Sequence, residues 1–307
     1  MRFILTMILA VTVKSLFAVE LKKVEITGTP HRILVADSDK RKIAIIAADG
    51  TIEWSRPVGN EVHEAILLSN GNVLYAEINN RIIEVDPKTD KEVWTYDSRK
   101  MNGNEGKRVE VHAFQRQADG TTVIFESGPC RVIEVDAAGK LLKEVHLTTE
   151  HPDAHRDTRN AKKLENGHYL VAHEGDAKVR EYDETGKVVW QYDVKSMVYG
   201  VLRLPDGHTL INTGNGHRVI EVDNEGSILW SISERELPGI TLAWMTQLQR
   251  LPNGNTVLVN CHAGPNNPQI IEVTKDKKVV WSYKDFENFG NAMAAASVLD
   301  APAGTIR

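Results

Sequence analysis

A repeat that occurs six times constrains the fold of this chain more than any other feature. Its complete copies cover residues 65–97, 113–147, 161–193, 201–232 and 248–285, and a shorter copy covers residues 32–58. Each complete copy contains four short runs rich in Val, Ile, Leu and aromatic residues, separated by turn dipeptides such as Asn70-Gly71 and Asp119-Gly120. Apolar runs joined by such dipeptides indicate β-hairpins. Four-stranded units at this period predict propeller blades, so we expect an all-β, six-bladed β-propeller without helices of consequence.

The shortest copy, residues 32–58, lacks the first of its four strands. The C-terminal segment 291–299 has the pattern of a first strand that no blade follows. We therefore expect this segment to complete blade one and close the ring, which removes two exposed sheet edges. Large rings recur in the fourth strand, where they can join one blade to the next: Trp54, Trp94, Trp190, Trp230 and Trp281, with Val145 in this place in the third blade.

The N-terminus carries the only long apolar run, residues 3–13, after Arg2 and before Lys14. The run is about half as long as a bilayer span requires, so no stable membrane span is expected. Together with the small residue Ala18, it predicts a secretory signal peptide over residues 1–18. A short signal anchor is the alternative. We expect one propeller domain over residues 19–307, in the periplasm or secreted.

Composition excludes several classes of protein. The chain has 37 basic and 42 acidic residues, a net charge of −5, which argues against a nucleic-acid partner. With 41% hydrophobic residues it is neither a disordered chain nor a disulfide scaffold. Its two cysteines, Cys130 and Cys261, lie in different repeats, so we expect two buried thiols and no disulfide.

Two segments carry a family resemblance. Residues 86–94 (DPKTDKEVW) and 183–190 (DETGKVVW) resemble the repeat of the PQQ-like propeller superfamily. In that superfamily the quinoprotein dehydrogenases have eight blades and a pair of adjacent cysteines beside the cofactor. This sequence has neither feature, so bound PQQ is not expected. Residues 63–72 (HEAILLSNGN) are also similar to the six-bladed bacterial arylsulfotransferases, which use a transiently sulfated axial histidine, although the resemblance assigns that role to no single position here.

The candidate site lies on the face opposite the consensus hairpin turns, because variable loops on a rigid scaffold carry most binding residues. Seven residues before each hairpin turn, at the end of the first strand, stand His63, His112, Arg159, Tyr199 and Thr246. Seven residues after it, at the end of the second strand, stand Glu77, Glu126, His173, Thr213 and Asn260. We expect three facing pairs across the hairpins: His63 with Glu77, His112 with Glu126, and Arg159 with His173.

Imidazoles beside carboxylates suit general acid–base chemistry or metal ligation. His63 and His112 are therefore the candidate catalytic residues. Both of them, with His155 or His173, can also hold a divalent metal. Arg159 with Arg156 can bind a carboxylate or sulfate. The predicted ligand-binding residues are Glu77, Glu126, Arg159, His173, Glu174, Tyr199, Asn215, Trp244, Asn260 and His262.

Two classes of function fit these patterns. The first is an exported propeller that binds a small polar ligand, a sugar derivative, other carbohydrate or organic anion, at its axial mouth. Such a protein can have hydrolase, lyase or transferase activity based on His and Glu or assisted by a metal. The second is a non-catalytic scaffold that binds a protein partner. Fold alone does not decide between them, because propellers support both functions.

Overall fold

The computed structural model describes residues 24–78 and 81–307, so the expected signal peptide lies outside the described residues. The described ranges contain no helix, and therefore none that could span a membrane. In chain order the strands are β1 (Glu25–Gly28), β2 (Ile33–Asp37), β3 (Lys42–Ile46), β4 (Ile52–Pro57), β5 (Val62–Leu67), β6 (Val73–Glu77), β7 (Arg81–Asp86), β8 (Lys91–Asp97), β9 (Glu110–Arg116), β10 (Thr122–Ser127), β11 (Arg131–Val135), β12 (Leu141–His146), β13 (Ala161–Lys163), β14 (Tyr169–His173), β15 (Lys178–Tyr182), β16 (Val188–Asp193), β17 (Val201–Arg203), β18 (Thr209–Asn212), β19 (Arg218–Val222), β20 (Ile228–Ser233), β21 (Trp244–Arg250), β22 (Thr256–Cys261), β23 (Ile270–Val273), β24 (Val279–Lys284) and β25 (Met293–Val298).

These strands form six antiparallel sheets, and the expected six-bladed propeller is confirmed. Blade one has the order β25-β2-β3-β4, and blades two to five follow as β5 to β8, β9 to β12, β13 to β16 and β17 to β20. Blade six contains β21 to β24 and one further strand. The first strands of neighbouring blades contact each other, for example β5 with β9 and with β25, so these strands surround the axis.

Both ends of the described chain close the ring. Strand β25 pairs with β2, with Val298 opposite Ile33, which confirms the predicted completion of blade one. The sequence did not predict β1, which pairs with β24 and adds a fifth, outermost strand to blade six. Gly28 ends β1 at a φ of 76°, and a Cβ there would lie 1.8 Å from the carbonyl oxygen of Val280. Only glycine permits so close an approach.

The hydrophobic core lies between the blades. Successive side chains of a strand point to opposite faces of its sheet. Leu34 therefore packs in the cluster between blades one and two, while Val35 packs between blades six and one. Each of the six pairs of neighbouring blades encloses one such cluster.

The fourth-strand tryptophans join neighbouring blades as predicted in three places. Nε1 of Trp94 donates to the carbonyl of Ala137, and Nε1 of Trp230 donates to that of Lys275. Trp190 makes the same contact to blade five. These hydrogen bonds join blade two to three, blade four to five and blade five to six. The prediction for the third blade was wrong: Lys143 pairs with Glu134 at the tryptophan position, whereas Val145 pairs with Val132 at the position of Tyr96 and is buried.

Candidate functional site

A cavity of about 340 Å³ opens at the axis on the face that the sequence selected. Ala294, His63 and Thr246 line it from the first strands of blades one, two and six, and Arg159 and Tyr199 line it from the segments directly before the first strands of blades four and five. His112 of blade three contacts His63 from behind the lining. The lining residues are Ser38, Asp39, Glu61, His63, His155, Arg159, Tyr199, Trp244, Thr246, Cys261, His262, Ala292 and Ala294. We call this cavity the axial mouth.

A β-bulge places these side chains; it lies in the first strand of blades one, two, three and six and directly before the first strand of blades four and five. In blade two, Val62 pairs with Glu77 and Ala65 with Tyr75, so His63 and Glu64 both lie opposite Ala76. A bulge turns a side chain away from the regular alternation and is frequent next to active sites. The first residue of the bulge in blades one to six is Ala294, His63, His112, Arg159, Tyr199 and Thr246, respectively.

The same bulges overturn the three predicted facing pairs. Glu77 lies opposite Val62 instead of His63, and Glu126 lies opposite Val111 instead of His112. The inserted residue shifts the register by one position at this point.

In blade four, the predicted pair of Arg159 with His173 is likewise absent. Arg159 donates its backbone N–H to the carbonyl of Ala172, and the ring of His173 contacts the carbonyl of Asp157.

Three histidines meet at the bottom of the mouth. Nδ1 of His63 lies 2.8 Å from Nδ1 of His112, and their rings stack with centroids 4.9 Å apart. His155, from the loop before blade four, stands edge-on to both rings, 5.3 Å from His112 and 6.1 Å from His63. His173, the alternative third histidine, is buried elsewhere between the Asp157 carbonyl and the Tyr182 hydroxyl.

Two glutamates that the sequence analysis missed supply the carboxylates. Oε2 of Glu110 lies 2.6 Å from Nδ1 of His155 and 3.3 Å from Nε2 of His112. Oε2 of Glu61 lies 3.5 Å from Nε2 of His63. Each glutamate stands two residues before its histidine, in the tripeptide Glu-Val-His at 61–63 and 110–112; the tripeptide also occurs at 144–146, on the outer strand β12. The two copies that lie at the mouth end of a first strand were the signal that could have identified these glutamates.

Burial and charge set the protonation states of the cluster. Burial lowers the pKa of His63 and holds that of His112 well below its usual value; Glu61 and Glu110 oppose these shifts only in part, and the Arg159 cation adds to them. Burial alone would raise the pKa of Glu110, but contacts from His112, His155 and Arg108 bring it well below the usual range. His63 and His112 are therefore neutral, and Glu110 is ionised, near pH 7.

The ligand atoms of Glu110, His112 and His155 lie within 4.8 Å of one another. Nε2 of His112 is buried, and its one polar contact in the described part of the chain is the 3.3 Å approach of Oε2 of Glu110, which does not have the geometry of a hydrogen bond. Neutral imidazoles and an ionised carboxylate are the ligand forms that a divalent ion requires. A second group of this kind, Asp206, His208 and Glu221, lies on the opposite face, where Glu221 also forms an ion pair with Arg250.

Arg159 forms part of the wall beside the histidines. Its Nε donates to Glu174, and its Nη1 lies 3.5 Å from Nδ1 of both His63 and His112. The guanidinium also lies over the ring of Tyr199, 5.2 Å from the centroid. Glu174 binds Arg156 as well, so this carboxylate orients both arginines.

The remaining predicted residues divide into two groups. Trp244 and His262 line the axial mouth. The others hold loops: Glu77 accepts from the backbone of Gly59, Glu126 binds Arg131 and Asn104, Asn215 accepts from Met197, and Asn260 bonds to the backbone at Thr241, Ala243 and Pro268.

Both cysteines are buried free thiols, as predicted. Burial raises the pKa of Cys130 to about 12 and also raises the pKa of Cys261, which lines the mouth. Neither thiol is therefore an activated nucleophile near neutral pH.

Comparison with known proteins supports the fold. Residues 22–163 and 161–298 each match the PQQ-like repeat model described as outer membrane protein assembly factor BamB. No curated protein matches the chain significantly.

Among solved structures, a protein of unknown function from Bacteroides caccae has 24% identity and a TM-score of 0.74, covering 86% of this chain and 97% of its own. A streptogramin B lyase has 16% identity and a TM-score of 0.58, covering 87% and 88%. A virginiamycin B lyase from Staphylococcus aureus has 14% identity and a TM-score of 0.55, covering 86% and 89%. At these identities the similarity shows the fold alone.

Proposed function

We propose a function from the axial mouth itself. The chain belongs to the PQQ-like repeat family described as outer membrane protein assembly factor BamB, and the repeat accounts for the scaffold. The protein is an exported, metal-assisted enzyme that cleaves a small polar substrate by elimination or hydrolysis. The observation that carries this proposal is the convergence of Glu110, His112 and His155, in which the buried Nε2 of His112 lies 3.3 Å from Oε2 of Glu110.

The three side chains match the ligand set of an open metal site. Two histidines and one carboxylate leave further coordination positions for substrate or water. Ligand atoms 2.0–2.2 Å from a common ion lie about 3–4 Å apart, near the 3.3 Å between Glu110 and His112. The 2.6 Å contact between Glu110 and His155 is a hydrogen bond that an ion replaces. A first-row divalent ion such as Zn²⁺, Mn²⁺ or Fe²⁺ suits these ligands.

The contact between His63 and His112 sets the proton positions around this ion. When Nε2 of His112 binds a metal, the His112 proton resides on Nδ1, and this N–H donates a hydrogen bond to Nδ1 of His63, 2.8 Å away. His63 then carries its own proton on Nε2, on the side of Glu61 and the mouth. With a metal held at Nε2 of His112, His63 would therefore be a neutral proton donor at the wall of the cavity.

This arrangement divides the chemistry between two groups. Glu110, His112 and His155 would hold the metal, which would supply Lewis-acid chemistry, polarising a substrate oxygen or lowering the pKa of a bound water. Glu61 and His63 transfer the proton, Glu61 because it is ionised and His63 because its Nε2–H faces the same carboxylate. Two structural neighbours are named lyases, which agrees with elimination as one of the two reactions.

Metal retention tests the proposal. The purified protein is loaded with Zn²⁺ or Mn²⁺, passed through gel filtration and examined by elemental analysis. We expect one equivalent in the wild type and little in His155→Ala, whose partly exposed loop position makes the change tolerable to the fold. The matched control His208→Ala, in the group on the opposite face, is expected to retain the metal. Equal metal contents in wild type and His155→Ala, or none in either, would contradict the proposal.

A scaffold function is the second candidate, because the outer strands expose apolar side chains. Val93, Leu142, Val189, Ile228 and Leu229 are each about half exposed, on the fourth strands of blades two to five. The assembly-factor description of the family agrees with such a surface. Under this candidate, lysine substitutions at Leu142 and Val189 abolish cross-linking to a partner in native extracts, whereas His155→Ala leaves it unchanged.

A further inference from the structure

Two hydroxyl groups of the axial mouth have no partner. The hydroxyls of Tyr199 and Thr246 are buried and make no hydrogen bond within the described residues, and both side chains line the cavity. A buried hydroxyl without a partner destabilises a protein unless a water or a ligand atom bonds to it. Because these two hydroxyls belong to residues that line the mouth, they are available to a ligand bound there. Burial raises the pKa of Tyr199, so its hydroxyl stays protonated and can donate.

Arg159 lies beside these hydroxyls, and only part of its guanidinium makes hydrogen bonds within the described residues. Its Nε donates to Glu174, and the Nδ1 atoms of His63 and His112 lie near its Nη1. Its Nη2 makes no hydrogen bond to any residue that the structure describes. The contact of its guanidinium with the Tyr199 ring holds the arginine and the tyrosine together.

The charges that face the mouth restrict where an anion can bind. Glu61 and Asp39 line it, and Asp39 accepts a hydrogen bond from the backbone of Asn291. An anion is therefore excluded from their side and finds its donors at Arg159, Tyr199 and Thr246. The centroids of the Tyr199 and His155 rings each lie 6.1 Å from the centroid of the His63 ring. The imidazole of His63 therefore lies between the donor Tyr199 and the proposed metal ligand His155.

We infer that Arg159, Tyr199 and Thr246 form a subsite for a carboxylate, and that the ligand is a hydroxycarboxylate of sugar-acid size. The inference rests on the proposed function, because hydroxyl oxygens of the same ligand then reach the metal held by Glu110, His112 and His155. The cavity of about 340 Å³ is at the small end of ligand sites. Trp244 in its wall offers a flat face for a sugar ring.

Matched ligands test the subsite. Calorimetry on the metal-loaded protein compares glucuronate and gluconate with their neutral counterparts glucose and glucitol. We expect the acids to bind at least about tenfold more tightly than the neutral sugars. Tyr199→Phe and Thr246→Val, which remove only the unpartnered hydroxyls, are each expected to weaken acid binding about tenfold.

The same variants separate a binding role from a structural one. Tyr199→Phe and Thr246→Val are expected to keep the metal and to melt no lower than wild type, because each removes an unsatisfied buried group. Tyr192→Phe, on outer strand β16, is the matched control and leaves binding unchanged. Equal affinity for acids and neutral sugars, no binding of the acids, or variants that bind as tightly as wild type would overturn the subsite. Retained metal in those samples would leave the proposed function standing.

Discussion

Substitution of His63 by Phe isolates the hydrogen bond that orients the metal ligand His112. Among the described residues, the 2.8 Å contact between the two Nδ1 atoms gives His112 its only acceptor on that side, since the nearby Arg159 is a cation. Phenylalanine keeps an aromatic ring that can stack on His112 but cannot accept a hydrogen bond. His112 then donates Nδ1–H to nothing, or turns its proton to Nε2 and loses the lone pair that binds the metal.

Loss of such a partner lowers metal affinity about 10–100-fold, which is about 1.4–2.7 kcal/mol. We therefore expect His63→Phe to weaken Zn²⁺ binding by this factor. The assay is competition against a chromophoric chelator, with thermal unfolding in EDTA to verify the fold of the apoprotein. His63→Gln retains an acceptor oxygen and is expected to lose less affinity than His63→Phe. An affinity of His63→Phe within twofold of wild type would refute the proton arrangement.

Four further predictions concern stability, export and ring closure. Burial, reinforced by Arg180, lowers the pKa of His173 to about 4, so the folded protein holds this histidine neutral and loses stability as the pH falls from 6.5 towards 4. Urea titrations should show about 2–3 kcal/mol of unfolding free energy lost between pH 6.5 and 4.5, and a smaller loss in His173→Gln. An equal loss in the wild type and in His173→Gln would count against this. Trp230→Phe removes the hydrogen bond to the Lys275 carbonyl and should lower the free energy of unfolding by about 1 kcal/mol, a loss that urea titration detects and that an unchanged midpoint would exclude. Mass spectrometry of the exported protein should find a new N-terminus after Ala18, whereas an intact N-terminus would favour the signal anchor. Deletion of residues 291–307 removes the buried strand β25 and should abolish cooperative thermal unfolding measured by circular dichroism; a retained transition would show that blade one does not need it.

The sequence predicted what the repeat encodes. Turn dipeptides at a fixed period gave six blades, and the incomplete first copy identified β25 as the closing strand. Counting seven residues back from each turn selected His63, Arg159 and the equivalent residues of the other complete blades, which the structure places as the first residues of the bulges. Regular spacing predicts position along a strand well because it depends only on the backbone.

The parts that failed depend on backbone geometry that spacing does not encode. A bulge inserts one residue, so the partners expected across the hairpin, such as Glu77 for His63, moved by one position. The true carboxylates, Glu61 and Glu110, precede the histidines along the same strand or the loop before it. His155 reaches the cluster from an irregular loop, and strand β1 has no counterpart in the repeat.

A crystal of the protein soaked in Zn²⁺ or Mn²⁺, with diffraction data collected at the metal absorption edge, tests the central claim most directly. We predict one strong anomalous peak bounded by Oε2 of Glu110, Nε2 of His112 and Nδ1 of His155, each about 2.0–2.2 Å from the ion. A peak only at Asp206, His208 and Glu221, or no peak at the axial mouth at saturating metal, would contradict the claim.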